Sequence, residues 1–271
     1  MSVLRAIALL ALPLPLAAQS LAYEGGLSVA TGRYFFDTRT TSVALTSGLA
    51  LTVGRLSVRV GIPLLTQNTE LVTFSGLGGM PSGGPISGMV SDSGRRGGRR
   101  GSGGMSVPSS AAPGYAVALG DPTALLTAHL VDAGRASVTA GVGVKVPLAD
   151  TTSFGTGKWD AGVSLGLTLH PTPRTLVGLD ASYWHLGDLP TLDFRDPTFA
   201  TITLGRVFEG WGASVAVSGG TSALPGYQAP LSVSASFHRL SAATLWGVTA
   251  TVGLTETVPE AAVSAIWRVP F

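Results

Sequence analysis

Apolar and small polar residues alternate along most of this chain. Leu56, Val58, Val60 and Ile62 are interleaved with Ser57, Arg59 and Gly61. Val138, Ala140, Val142, Val144 and Val146 are interleaved with Ser137, Thr139, Gly141, Gly143 and Lys145, and Leu231, Val233, Ala235 and Phe237 with Ser232, Ser234, Ser236 and His238. A period of two puts the apolar side chains on one face of a strand. The other face is mostly glycine and serine, where a sheet facing water would carry charge. Charged residues make up 12% of the chain, against about 25% in ordinary soluble domains. Mean hydropathy is nevertheless +0.40. Past the N-terminus no apolar run reaches the ~18 residues that a membrane helix needs, and 37 glycines and 17 prolines disfavour long helices. Apolar residues spread along strands, with a small-residue face opposite, specify an all-β fold: an antiparallel transmembrane β-barrel. In a two-sheet sandwich the apolar faces would meet each other, leaving the serine and glycine faces to water.

Turn residues divide the chain into strands expected near 23–36, 40–53, 56–64, 115–131, 135–148, 158–170, 174–186, 194–207, 211–220, 229–239, 243–255 and 260–271. That is about twelve, and single-chain bacterial barrels have an even number. The even-numbered connections are short, for example Gly54-Arg55 and Glu209-Gly210, and suit periplasmic turns. The odd-numbered ones are mostly longer and suit extracellular loops, of which 65–114 is by far the longest. Trp211, Trp246 and Trp267 fall near strand ends on the apolar parity, as interfacial aromatics do.

Residues 1–22 read as a cleaved signal peptide and 23–271 as the barrel. Arg5 precedes the apolar run "AIALLALPLPL", and "SLA" ending at Ala22 is a small-residue cleavage site, with a cut after Ala18 as the competing choice. Export places the barrel in the outer membrane of a Gram-negative bacterium. Phe271 ends an alternating strand and is the expected signal to the barrel assembly machinery; Pro270 beside it removes a ladder donor. The stretch 74–114 is low-complexity Gly/Ser/Pro and is expected to be a mobile loop. Two alternatives are a plug folded into the lumen, with Met80, Met89 and Met105 as adaptable contacts, and a basic tip. In the latter, Arg95, Arg96, Arg99 and Arg100 would pair with lipopolysaccharide phosphates. Removing these four and Arg5 from the formal +2 leaves −3, so the basic character is local. No basic stripe with interleaved aromatics marks a nucleic-acid partner.

The segment around 115–170 resembles the outer-membrane transporter family named for the meta-pathway of phenol degradation. The matching residues are Gly120, Asp121, Lys145, Pro147, Asp150, Gly155, Thr156, Gly157 and Asp160, while Leu148 and Ala149 depart from the family's Thr-Gly. The resemblance implies a barrel linked to uptake of aromatic or other small hydrophobic compounds.

Independently of that resemblance, Lys145 and Asp160 share lumen parity near the extracellular ends of adjacent strands, with Asp121 close by. Together they form either an ion pair bracing the loops or a constriction selecting solutes by charge. Gly155 and Gly157 are expected to permit a tight loop at positive φ. Arg59, His129, Asp180, His238 and Arg268 are further lumen candidates, either lining a polar path or hydrogen-bonding across the barrel. One slip of register would move each of them to the lipid. The four histidines, His129, His170, His185 and His238, are scattered; no serine lies in a nucleophile motif and no cluster has metal spacing. The expectation is therefore a passive channel for small hydrophobic or aromatic solutes, without cofactor or metal. A non-conducting structural or surface-contact barrel is the alternative, and an outer-membrane hydrolase a more remote one.

Overall fold

The computed structural model describes residues 19–82, 116–149, 155–188, 193–241 and 244–271. Its strands are β1 (Gln19–Gly32), β2 (Thr40–Val53), β3 (Leu56–Gln67), β4 (Val72–Ser75), β5 (Gly78–Pro81), β6 (Ala116–Leu119), β7 (Thr123–Asp132) and β8 (Ala136–Lys145). They continue as β9 (Asp160–Thr172), β10 (Thr175–His185), β11 (Thr198–Phe208), β12 (Trp211–Gly220), β13 (Leu231–Leu240), β14 (Leu245–Gly253) and β15 (Ala261–Pro270).

Thirteen strands form one sheet, with β1 hydrogen-bonded to both β2 and β15 and β2 also paired with β3. These pairings leave no free edge, so the sheet closes on itself. β6 and β7 both pair with β3, at Leu64–Gln67 and Leu56–Gly61 respectively, and act as one interrupted stave. The barrel therefore has twelve antiparallel staves. Closure satisfies every ladder from within the chain, as hydrocarbon demands.

The expected alternation sorts the two walls. Leu49, Val142, Ile202 and Val263 lie on the outside with half or more of their surface uncovered. Lipid, not protein, is what covers such a face. The inward parity carries Ser28, Thr46, Gly141, Ser164, Thr201, Ser218, Ser234 and Thr249. Small side chains there leave room inside a twelve-stave cylinder, which larger ones would fill. At the periplasmic end Trp211 pairs in register with Arg239, Arg239 with Trp246 and Trp246 with Trp267, all on the outer wall. Trp211 stacks on Phe237 at 4.8 Å and meets Trp246 edge-on at 5.5 Å. This is an interfacial aromatic belt. The tight periplasmic turns place Gly54 and Gly210 at φ +57° and +71°, where a side chain would be strained.

Several expected boundaries are corrected. β1 runs from Gln19 to Gly32, not 23 to 36. Residues 33–36 leave the ladder because Tyr34 takes φ +54°, and Tyr34 and Phe36 turn to pack on Leu71 and Val72. The single strand expected over 115–131 is broken at 120–122, where Pro122 lacks an amide and Asp121 is buried. Residues 194–197 are not strand, since Phe194 packs instead with Met80, Leu186 and Leu224. Finally, the insert is not a loop from its first residue. Its beginning folds into the β4–β5 hairpin, with Val72 facing Pro81 and Ser75 facing Gly78. Residues 83–115, with Met89, Arg95, Arg96, Arg99, Arg100 and Met105, lie outside the described residues, as does Asp150.

At the closing seam Ala22 pairs with Pro270, and the Phe271 amide donates to Leu21 O at 2.9 Å. Amides alternate sides along a strand, so residue 270 addresses β14. The β14 ladder has already ended at Leu245 and Arg268. Pro270 thus costs the seam no hydrogen bond.

Candidate functional site

Two polar constellations occupy the lumen, one at each end. At the extracellular end Lys145, the last residue of β8, pairs in register with Asp160, the first of β9, and with Thr123 of β7. Its Nζ lies 2.9 Å from Asp121 Oδ2 and 3.4 Å from Asp160 Oδ2, and donates to Thr156 Oγ1 at 2.6 Å. Asp121 Oδ1 accepts the amides of Leu148 and Ala149 at 2.9 and 2.8 Å. Asp160 accepts the Gly187 amide on Oδ1 at 3.0 Å and the Gly76 amide on Oδ2 at 2.8 Å. Side-chain exposure is 1% for Lys145, 2% for Asp121 and 1% for Asp160. Of the two readings of these residues, a brace for the loops or a constriction, their burial suits the brace. They tie the stave break, the loops after β8 and β10, the chain before β9 and the tip of the hairpin to one ammonium.

The hairpin is the element that sequence reasoning missed. Its tip, Gly76, rests on Trp184 of β10: a Cβ there would lie 2.6 Å from the indole. Trp184 has inward parity and lies across the wall over Gly143 and Gly162. A Cβ on Gly143 would fall 2.8 Å from the ring, and one on Gly162 would clash with it more closely still. Met80 packs with Leu186, Phe194 and Leu224, and Gln67 Nε2 donates to Val72 O at 2.8 Å. Gln67 Oε1 is buried with no partner among the described residues. Thr73 and Ser82 bond hydroxyl to hydroxyl across the hairpin base. "VTFS" and "GGMP" around Gly76-Leu77 is a hairpin signal that composition alone obscures.

Of the motif glycines, Gly157 takes φ +66° as expected. Gly155 does not. It is small because a Cβ would fall 2.9 Å from Ala149 Cβ. Pro147 follows β8, and Gly120 closes the stave break by donating its amide to Pro63 O at 2.7 Å.

The second constellation is near the periplasmic end. Glu24 and Arg268 are cross-strand partners. Arg268 Nε lies 3.4 Å and Arg59 Nε 3.6 Å from the same oxygen, Glu24 Oε1. Both arginines were expected in the lumen; Glu24, a lone carboxylate, was not singled out. Asp180 has inward parity between Gly166 and Thr201, and is open to the lumen. His129 faces Thr139 near the periplasmic turn, and His238 lies over Gly247. Neither imidazole joins the other, and among the described residues no serine hydroxyl bonds any histidine. His185 has outward parity and pairs with Asp196, Nδ1 to Oδ1 being 3.0 Å.

Loop carboxylates brace the rim. The Tyr183 hydroxyl, donating to Asp196 at 2.7 Å, and then His185 hold the Asp196 carboxyl below its usual range. The Arg33 amide and then the Arg39 guanidinium do the same for Glu260, which Arg39 meets at 2.7 Å. Burial pushes the Tyr34 phenol up to about 12.

No family model and no curated protein matches the chain. The likeness to the phenol meta-pathway family therefore remains one of motif. Among solved structures, the chain resembles an outer membrane channel from Pseudomonas putida F1 at 12% identity and TM-score 0.66, over 94% of this chain and 97% of that one. The KdgM porin aligns at 7% identity over 93% and 99%, with TM-score 0.47, and the P. putida toluene transporter TodX at 12% over 93% and 88%, with TM-score 0.43. The last two scores are too low to argue from. The first shows a shared architecture: this chain has the closed barrel fold of outer-membrane proteins.

Proposed function

We propose that the protein is a passive channel of the outer membrane for small hydrophobic or aromatic solutes, its extracellular mouth governed by the β4–β5 hairpin. The observation that carries the reading is the pairing of a lipid-facing apolar wall with a lumen of serine, threonine and glycine. A barrel sealed by its own side chains would need bulk along most of its inner rows, where this one carries mainly serine, threonine and glycine. An outer membrane channel sharing the fold over nearly the whole chain supports the same reading. Aromatic and aliphatic surface inside the barrel, from Trp184, Phe199, Leu176 and Leu125, would receive the apolar part of a solute. Trp184 is the first of these beneath the hairpin.

The hairpin is held by the Gly76–Asp160 hydrogen bond and by the Met80 cluster. Gln67 Nε2 adds a hydrogen bond to Val72 O at the hairpin base. The channel reading predicts swelling of proteoliposomes in solutes graded by size and polarity, faster for Asp160→Ala than for wild type. The second reading, a non-conducting barrel, draws on the same dry extracellular end. It predicts no swelling even when residues 72–81 are deleted.

A further inference from the structure

One carboxylate faces two guanidinium groups at the periplasmic end of the lumen. Arg59 reaches Glu24 from β3 across β2, whose inward residue in the row of Glu24 is Gly48. Both arginines approach Glu24 Oε1 through Nε, so the two Nε atoms are no more than about 7 Å apart. Nε is the inner corner of the guanidinium. Neither guanidinium makes a hydrogen bond through its outer NH2 groups among the described residues, and the two side chains keep 52% and 31% of their surface. Such forks match the two oxygens of a carboxylate. One negative charge between two positive ones leaves the lumen a net positive field here.

The wall beside the forks is open. Gly26 sits one inward layer above Glu24, and a Cβ there would meet nothing nearer than 3.7 Å. Its cross-strand partner Ile266 is 43% exposed, an aliphatic surface beside the two arginines. We infer that this cluster is a station for small carboxylates with a compact apolar body. The carboxylate lies on the forks of Arg59 and Arg268, and a ring or branched chain lies against Gly26 and Ile266. The inference rests on the channel reading and narrows its solutes to aromatic or branched acid anions.

Two measurements test it. In planar bilayers under a KCl gradient, the wild type gives a reversal potential of anion preference. Arg59→Gln/Arg268→Gln lowers the anion-to-cation permeability ratio severalfold, and Glu24→Gln raises it. In detergent, calorimetry shows benzoate bound by the wild type about tenfold or more tightly than by the double glutamine variant, more tightly still by Glu24→Gln, and benzyl alcohol bound by none. Arg59→Lys/Arg268→Lys, which keeps the charge, preserves the selectivity but loses benzoate affinity with the forks. Reversal potentials equal across the variants, or benzoate affinity indifferent to the double substitution, overturn the inference while the channel stands. If no variant conducts, including one lacking residues 72–81, the channel reading fails. Benzoate binding then decides the station alone, and its absence from the wild type refutes it.

Discussion

Replacing Lys145 by methionine removes the one positive charge between two buried carboxylates while keeping most of the side-chain volume. Removing one partner of a buried pair typically costs about 3–5 kcal/mol, because the remaining charge is stranded in low dielectric. Here the cost falls near the lower end, about 3 kcal/mol, because neither carboxylate is left bare. Asp121 keeps the amides of Leu148 and Ala149, and Asp160 keeps those of Gly76 and Gly187. Amide donors stabilise a carboxylate without supplying a charge. Urea titration of the protein in detergent micelles, followed by tryptophan fluorescence and by heat-dependent mobility on gels, measures the loss. The triple variant Lys145→Met/Asp121→Asn/Asp160→Asn carries no buried charge and should regain about 1 kcal/mol or more over the single one. A loss below about 1 kcal/mol for Lys145→Met would mean that the triad is wet, contrary to its burial. A triple variant no better than the single would mean that packing, not charge, sets the cost.

Three further outcomes follow from particular contacts. Gly162→Ala places a methyl where the Trp184 indole lies, so the indole and the Gly76 tip above it must move; emission shifts red and solute-driven swelling accelerates, and neither changing would show that the indole does not lie on that wall. Asp196 should titrate in carboxyl NMR below the ordinary aspartate value of 3.8. Its depressed value means that the stabilisation is present above that pH and lost as pH falls through the folded value. Tyr183→Phe removes the largest cause and moves the midpoint back up, and an unmoved midpoint refutes the assignment. N-terminal sequencing of the exported protein should read Gln19, since a cut after Ala22 would remove four residues paired with Ala50–Val53 of β2; a mature start at Tyr23 shows that the seam does without them.

The barrel was legible because its information is local. A period of two survives any error of a few residues at strand ends, and three of the tight turns announce themselves by glycine, at Gly54, Gly134 and Gly210. Hence Val138 to Val146 and Leu231 to Phe237 were assigned to the lipid side before any pairing was known, and the three interfacial tryptophans with them. What was lost depends on contacts between residues far apart in the chain. Asp160 to Gly76 spans 84 residues, and nothing near either one marks it. Gly/Ser/Pro composition hid a four-residue strand such as Val72–Ser75, because average composition over forty residues cannot register so short a run. Glu24 stood unnoticed since a single carboxylate has meaning only beside Arg59 and Arg268, on strands at opposite ends of the sequence.

Burial separates these two groups of charges into different kinds of chemistry. Lys145, Asp121, Asp160, Arg59 and Arg268 are alike in the sequence as charged lumen candidates, and nothing local marks which of them are dry. A solute can interact only with a group it can reach, and a charge can stay dry only if the fold supplies its partners. The extracellular carboxylates accept four backbone amides, and the ammonium between them donates to a threonine hydroxyl, which leaves no vacancy for anything passing. The periplasmic trio receives none of these, and its guanidinium forks stand in the lumen. The first arrangement holds loops and hairpin together whatever crosses the barrel; the second has its affinity left to give. Neutralising the first should therefore show in stability and in the mouth, and neutralising the second in selectivity. A variant of Arg59 that altered unfolding as much as Lys145→Met, with reversal potential untouched, would remove that distinction.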